Sequence, residues 1–255
     1  TWAEAVDRVR NMHIKRYPQI EREITWAFEQ VKQRRVLGSQ RALQFGGDPI
    51  LKKNARIYNC IASYCDRLRF FQECFWLLLC GCGTGFSVQK HHVAKLPQFA
   101  SEWTPETAGS STSVALGTPE FKGDGILKQL VGNEKAVFKK AGSLPKKVYI
   151  IPDSIEGWSD SLGVLLSAYF EDGEFPEYQG AEVVFDYSLI RPEGAPLGSS
   201  SGKAPGPKPL MRALEKIRDV LNRCVANGQK ALRPIDAYDI VMHASDAVLS
   251  GGVRR

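Results

Sequence analysis

Segments with helical and strand-like apolar patterns alternate along the chain, and this alternation restricts the folds it can adopt. Residues 19–34 carry apolar side chains at spacings of three and four, which predicts an amphipathic helix. The short apolar stretches Lys147–Ile151 and Ala181–Phe185 predict strands. Further helices are predicted at 2–16, 66–80, 153–170, 210–227 and 236–250. Strands interspersed with helices are typical of the α/β class, which is the fold class we expect.

Local signals set some of the expected boundaries. The sequence from Asp153 to Glu156 has the spacing of a capping box, so Asp153 is expected to cap the helix that follows it. Asp236 is expected to begin the last helix. Residues 35–59 are expected to be irregular, because glycines and the pair Asp48-Pro49 interrupt the apolar pattern.

The composition fits a protein with a core of normal size. The chain has 255 residues, of which 43% are hydrophobic, and this suits one large domain or one domain with an insertion. Its longest charge-free apolar run, Cys74–Cys80, is far too short to span a membrane. The net charge is +6, but the basic residues are spread out, which favours small phosphorylated ligands over nucleic acid. The start of the chain has no signal-peptide pattern, so a cytoplasmic protein is expected.

Five of the six cysteines lie between residues 60 and 82. Zinc sites use closely paired ligands at both ends of a knuckle, and these spacings do not match that pattern, so no metal site is predicted. Cys74 and Cys80 fall in an apolar helix, where a free cysteine packs like a small hydrophobic residue. Cys60 stands among polar residues in a predicted loop before that helix, which suits a redox thiol. Packing alone remains the default interpretation for the other five cysteines.

Two glycine-rich stretches are candidate ligand loops. The stretch Gly198–Lys203 is not a P-loop, because it has three residues between its glycines instead of four and no Ser or Thr after the lysine. Its backbone amides and Lys203 could still contact a phosphate group. The stretch Cys80–Ser87 alternates glycine with other residues, which fits either a close approach of backbone to a ligand or a tight connection between a helix and a strand.

Eight short motifs occur in a fixed order over almost the whole chain. They are Gly38–Leu43, Tyr58–Cys60, Gly83–Val88 with Leu96-Pro97, Pro152–Trp158, Ile190–Gly194, Ser201–Leu210, Asp236–Ile240 and Gly251–Arg255. Together they resemble the N-terminal part of the monomeric, adenosylcobalamin-dependent (class II) ribonucleoside triphosphate reductases. One departure is Gly38, where many relatives have proline.

The resemblance implies part of a ten-stranded α/β barrel with three regions. Residues 1–97 would contain the N-terminal helices, the start of the barrel and the first active-site cysteine. Residues 98–185 would be an insertion that replaces a partner subunit at the effector site. Residues 186–255 would be a barrel half with the specificity loops.

The resemblance also implies roles for individual residues. Cys60 would be one of the two thiols that reduce the substrate and become a disulfide. Ser39, Asn59, Cys82 and Gly83 would line the substrate site. Two specificity loops would follow. The first contains Lys203, and the second begins at Gly251, Gly252, Val253 and Arg254.

The ligands and partners follow from the same resemblance. The complete enzyme would be a monomer that uses adenosylcobalamin, a ribonucleoside triphosphate substrate, a deoxynucleoside triphosphate effector and a thioredoxin-like dithiol. The radical cysteine and the second reducing cysteine are expected beyond Arg255, so this chain alone is expected to be inactive. Two alternatives remain: the large subunit of a metal-radical (class I) reductase, which should lack the 98–185 insertion, and a nucleotide-binding fragment without catalytic activity.

Overall fold

The computed structural model describes residues 1–110, 115–116, 144–196 and 203–249, and combines helices with short strands. The chain divides into two compact units. Unit 1 comprises residues 1–61 and 80–83, and unit 2 comprises the described residues of 62–79 and of 84 onward. None of the helices in the described ranges is both long and apolar enough to cross a membrane.

Unit 1 is built from helices. They are α1 (Trp2–Arg16), α2 (Glu21–Lys32), α3 (Gln40–Phe45), α4 (Asp48–Lys52) and a 3₁₀ turn at Asn54–Ile57. A capping box starts α1, because the Thr1 hydroxyl accepts from the Glu4 backbone N–H while the Glu4 carboxylate accepts from the Thr1 amino group. Helix α1 packs against α2 and α3. A small core of Val9, Ala42 and Ile50 holds these helices together.

Unit 2 contains the larger core and most of the strands. Its helices are α5 (Arg69–Leu79), α6 (Lys90–Val93), α7 (Pro105–Ser110), α8 (Ile155–Tyr169), α9 (Lys208–Ala226) and α10 (Pro234–Leu249). Strands β3 (Ala115–Leu116), β4 (Lys146–Ile150) and β5 (Glu182–Asp186) form a parallel sheet in the order β3-β5-β4. Every residue of the central strand β5 is buried, as expected for a strand covered on both faces. The helices pack chiefly as the pairs α5 with α8 and α9 with α10.

The remaining two strands flank helix α5 in the chain. Strand β1 (Cys60–Tyr64) precedes α5 and strand β2 (Gly83–Ser87) follows it, and the two strands pair in a separate two-stranded sheet.

Several predicted boundaries need correction. Residues 35–59 are not irregular, because they contain α3 and α4. Pro49 lies in the first turn of α4, where the missing proline N–H breaks no hydrogen bond, so it starts a helix instead of ending one.

Two predicted helix starts also shift. Ser154, not Asp153, caps α8, and its hydroxyl accepts from the Gly157 N–H at 3.0 Å. The Asp153 carboxylate instead accepts from the Arg191 guanidinium at 2.6 Å. Helix α10 begins at Pro234, two residues before the predicted Asp236.

Candidate active site around Cys60

Cys60 is the first residue of β1 and is exposed. The sequence predicted a loop at this position, so the structure corrects the local conformation while leaving the thiol accessible. All six cysteines lie in described residues, and the other five are buried. Cys60 is therefore the one thiol here that a reagent or substrate can reach without local unfolding.

The residues next to Cys60 hold it in place through backbone and side-chain contacts. The Asn59 carbonyl oxygen accepts from the Gly83 N–H at 2.8 Å. The Asn59 side-chain amide donates to the Cys60 sulfur at 3.3 Å. Three predicted site residues, Asn59, Cys60 and Gly83, are thus linked directly in unit 1.

Cys82 supports the same segment from inside the unit. Its sulfur lies 3.1 Å from the Ala55 carbonyl oxygen and 3.2 Å from that of Tyr58. Burial raises the pKa of the Cys82 thiol, against the opposing effect of the Arg41 and Arg56 guanidiniums, so it remains a neutral donor. The whole residue, backbone included, is only 1% exposed, so Cys82 supports this segment from inside the fold.

Helix α3 brings two polar side chains to unit 1. The Ser39 hydroxyl caps the helix by accepting from the Ala42 N–H at 3.3 Å. Its hydroxyl hydrogen remains available for a further partner. The Arg41 guanidinium donates to the carbonyl oxygen of Gly81, a residue with φ of 87°. That left-handed conformation favours glycine and turns the chain just before Cys82.

Sequence reasoning missed a group of two arginines around one aromatic ring. The guanidinium carbons of Arg41 and Arg56 lie 5.4 and 5.7 Å from the centre of the Phe45 ring. Arg56 is buried, and its Nε has no hydrogen-bond partner within the described part of the chain. The motif containing Arg41 was visible in the sequence, whereas nothing in the sequence pairs Phe45 with Arg56.

The buried cysteines of unit 2 behave as packing residues. Burial raises the pKa of Cys65 to about 12, with smaller contributions from Asp66 and Cys74. Burial likewise raises the pKa of Cys74 to about 11 and that of Cys224 to about 12. These thiols stay neutral near pH 7 and are poor nucleophiles, because the thiolate is the reactive form.

Of the predicted specificity-loop residues, Lys203 lies in unit 2 and the other four lie outside the described residues. Lys203 is exposed and pairs with Pro196 in an isolated antiparallel bridge. Arg191 donates to the Pro196 carbonyl oxygen at 3.3 Å, which fixes the start of this loop. Gly251, Gly252, Val253 and Arg254 lie outside the described residues.

Part of this chain matches a protein-family model, and most of it is similar in sequence to curated proteins. Residues 127–221 match the family model described as "B12-dependent ribonucleotide reductase, insertion domain", which overlaps the predicted insertion and extends beyond it. An adenosylcobalamin-dependent ribonucleoside-triphosphate reductase of Lactobacillus helveticus is 35% identical over 188 residues, covering 72% of this chain and 23% of that protein. The corresponding protein of Levilactobacillus brevis is 31% identical with the same coverage of both chains.

A solved structure supports the same relationship at the level of the fold. The crystal structure of a B12-dependent (class II) ribonucleotide reductase superposes with a TM-score of 0.73 and 22% sequence identity. The match covers 99% of this chain and 38% of the solved chain. This chain therefore spans about a quarter of the length of the two curated relatives above and just over a third of the solved structure.

The fold defines the class first: this is an α/β protein of the ribonucleotide reductase type, as the sequence predicted. The family model and the curated relatives then define the family. The chain belongs to the B12-dependent, class II ribonucleotide reductases and corresponds to part of such a protein. These matches favour the B12-dependent interpretation over the large subunit of a metal-radical reductase.

Proposed function

We propose that this chain forms part of a cytoplasmic ribonucleoside-triphosphate reductase in which Cys60 is one of the two reducing thiols. The exposed position of Cys60, with a hydrogen bond to its sulfur and a fixed backbone on either side, carries the proposal. A reducing thiol must reach the sugar, and the disulfide that it forms must be accessible to a reductant. The other five cysteines are buried.

The chemistry assigned to Cys60 is a two-electron reduction. Cys60 and a second thiol supply two electrons and two protons, the ribose 2′-hydroxyl leaves as water, and the two sulfurs join in a disulfide. A thioredoxin-like dithiol then reduces this disulfide by exchange. Ser39, Asn59 and Gly83 would line the substrate site beside Cys60, and Cys82 would complete this site by supporting them from inside the fold.

Adenosylcobalamin is proposed as the cofactor of the whole enzyme, where it supplies the radical that starts the reaction. The described residues contain no group of three or more His, Cys, Asp or Glu side chains placed to hold a metal ion. The domain roles, the monomeric state and binding of a deoxynucleoside triphosphate effector belong to the same proposal.

Substitution of Cys60 in the complete reductase tests this assignment. With ribonucleoside triphosphate, adenosylcobalamin and dithiol, Cys60→Ser should reduce deoxynucleotide formation to background, because a serine cannot form the disulfide. The matched control is Cys65→Ala, a buried cysteine five residues away, which should keep measurable turnover.

The two substitutions together decide between interpretations. If Cys60→Ser turned over like the wild type while Cys65→Ala lost activity, the reducing thiol would be misassigned. If the complete wild-type protein bound nucleotides but formed no product, the alternative of a nucleotide-binding fragment without catalytic activity would replace this proposal.

A further inference from the structure

We propose that Asn59 is a positioning residue for Cys60, and that its side-chain amide stabilises the Cys60 thiolate relative to the thiol. The family resemblance implied only that Asn59 lines a substrate site. The structure directs its amide to the neighbouring sulfur, with the nitrogen and the sulfur 3.3 Å apart. An amide nitrogen can only donate, so the sulfur must accept, and an anionic sulfur accepts more strongly than a neutral one.

The geometry around Asn59 explains why this contact persists at an exposed position. The backbone on one side is fixed by the 2.8 Å hydrogen bond between the Gly83 N–H and the Asn59 carbonyl. The backbone just before it is fixed by the Cys82 thiol, which lies against the Ala55 and Tyr58 carbonyl oxygens. With its main chain held from both sides, Asn59 loses little further freedom when its amide meets the sulfur.

Other charged and titratable groups lie around this segment, and they are the same in every Asn59 variant. They are Arg41 on α3, Arg56 on the 3₁₀ turn, Tyr58, and Cys82 before β2. Cys82 is neutral because burial raises its thiol pKa. Arg41 is already bonded to the Gly81 carbonyl, and Arg56 is buried. All four groups stay constant when only Asn59 is changed, so a difference between Asn59 variants reports the amide.

The contact also affects how the disulfide that includes Cys60 is reduced, and this part of the inference rests on the proposed function. When the dithiol reductant attacks the disulfide, its thiolate bonds to one sulfur, and the electron pair of the broken S–S bond goes to the other. The sulfur that better carries negative charge leaves faster. Asn59 therefore makes Cys60 the leaving sulfur and directs the reductant to the partner sulfur.

Alkylation of the reduced protein by iodoacetamide, with peptide mass spectrometry to confirm the site, measures the thiolate without any substrate. Among the six cysteines of this chain Cys60 is the exposed one, so its peptide should be labelled before those of the other five, and Cys60→Ser should lose that labelling. At neutral pH, Asn59→Ala should react about two- to threefold more slowly than the wild type, because the loss of one net hydrogen bond lowers the thiolate fraction while the remaining thiolate becomes more nucleophilic. Asn59→Asp should be slower still, because its carboxylate repels the thiolate, and Asn59→Gln should fall between Ala and the wild type.

The pH profile separates this role from simple shielding. The Asn59→Ala curve should lie at higher pH than the wild-type curve, and at high pH the order of rates should reverse, because a more stabilised thiolate is less nucleophilic. Shielding predicts the opposite at low pH, since truncating Asn59 would uncover the sulfur and speed the reaction. Circular dichroism checks folding, and if Asn59→Ala does not fold, the comparison of Asp with Gln decides.

The experiments can refute the role of Asn59 without refuting the proposed function, and the reverse. Equal alkylation rates and pH profiles for all Asn59 variants would overturn the role of Asn59, even if Cys60→Ser abolished reductase activity. Altered alkylation in a complete protein that makes no deoxynucleotide would leave the Asn59 contact standing and refute the proposed function instead.

Discussion

At the scale of single residues, the cysteines divide into one exposed thiol and five buried ones, and this division predicts different costs of substitution. Cys74 is 2% exposed within the core of unit 2. Changing it to alanine removes a buried group of about the size of a methylene, so Cys74→Ala should lower the free energy of unfolding by about 1 kcal/mol. Denaturant unfolding followed by tryptophan fluorescence measures the change.

The matched control for that substitution is Cys60→Ala. Because Cys60 is exposed, its replacement should change the free energy of unfolding by less than about 0.5 kcal/mol, as is usual for surface positions. An equal loss in both variants would show that exposure does not separate the two cysteines energetically. It would also weaken the view that Cys74 serves only in packing.

At the scale of secondary-structure elements, the start of α10 depends on one buried carboxylate. Asp236 is fully buried and accepts three hydrogen bonds from Arg233, one from its backbone N–H and two from its guanidinium. Burial alone would raise the pKa of this carboxyl, but the bonds from Arg233 outweigh it, and the pKa is lowered. The arrangement is half of a capping box, with the third helical residue reaching back to the residue before the helix.

This arrangement predicts a pH-dependent loss of stability. Asp236→Asn should lower the free energy of unfolding by about 1–3 kcal/mol at pH 7, since charge-assisted bonds to a buried group are lost. A folded pKa below the unfolded value of about 3.9 gives stability that is present above that value and lost as pH falls through the folded pKa. The difference between wild type and variant should therefore shrink in acid.

Unfolding measured at pH 7 and pH 3 tests this expectation against Asp246→Asn, a change on the same helix at an exposed carboxylate that contacts Lys216. That control should stay within about 0.5 kcal/mol of the wild type. If Asp236→Asn lowered the free energy of unfolding by the same amount at both pH values, the loss would come from altered packing and hydrogen-bond geometry and not from the carboxylate charge.

How far the sequence predicted these elements depended on whether the deciding interaction was local. The apolar repeat at residues 19–34 predicted the extent of α2 closely, because the repeat lies within the helix that it defines. The cap of α8 was misplaced by one residue, since Asp153 is bound by Arg191, which lies 38 positions away. Contacts between residues so far apart in the sequence produce no periodic pattern of residue types.

The candidate site shows the same limit. The motif around Cys60 was visible, and the resemblance suggested the roles of Asn59 and Gly83. The contact from the Asn59 amide to the sulfur and the burial of Cys82 depend on how residues 80–83 pack against 55–59. Only the three-dimensional structure supplies that information.

At the scale of the whole molecule, the proposed function requires communication between nucleotide sites, and Arg254 is the residue expected to take part. It lies outside the described residues, so this prediction rests on the sequence. Arg254 follows Gly251, Gly252 and Val253 in the sequence, and glycine is the residue type that accepts both left- and right-handed backbone conformations. Its planar guanidinium can stack on a base or hydrogen-bond to it.

In the complete enzyme, Arg254→Ala should flatten the effect of each deoxynucleotide effector on substrate choice more than it weakens effector binding. Coupling between two ligand sites is typically about 1–3 kcal/mol, so its loss should change substrate preference by about five- to 150-fold. Reduction of four competing ribonucleoside triphosphates with each effector in turn measures this, and Arg255→Ala is the neighbouring control. If Arg254→Ala instead slowed all four substrates equally and left effector preferences intact, Arg254 would be a phosphate contact, and selection of the base would have to come from other residues of the loop.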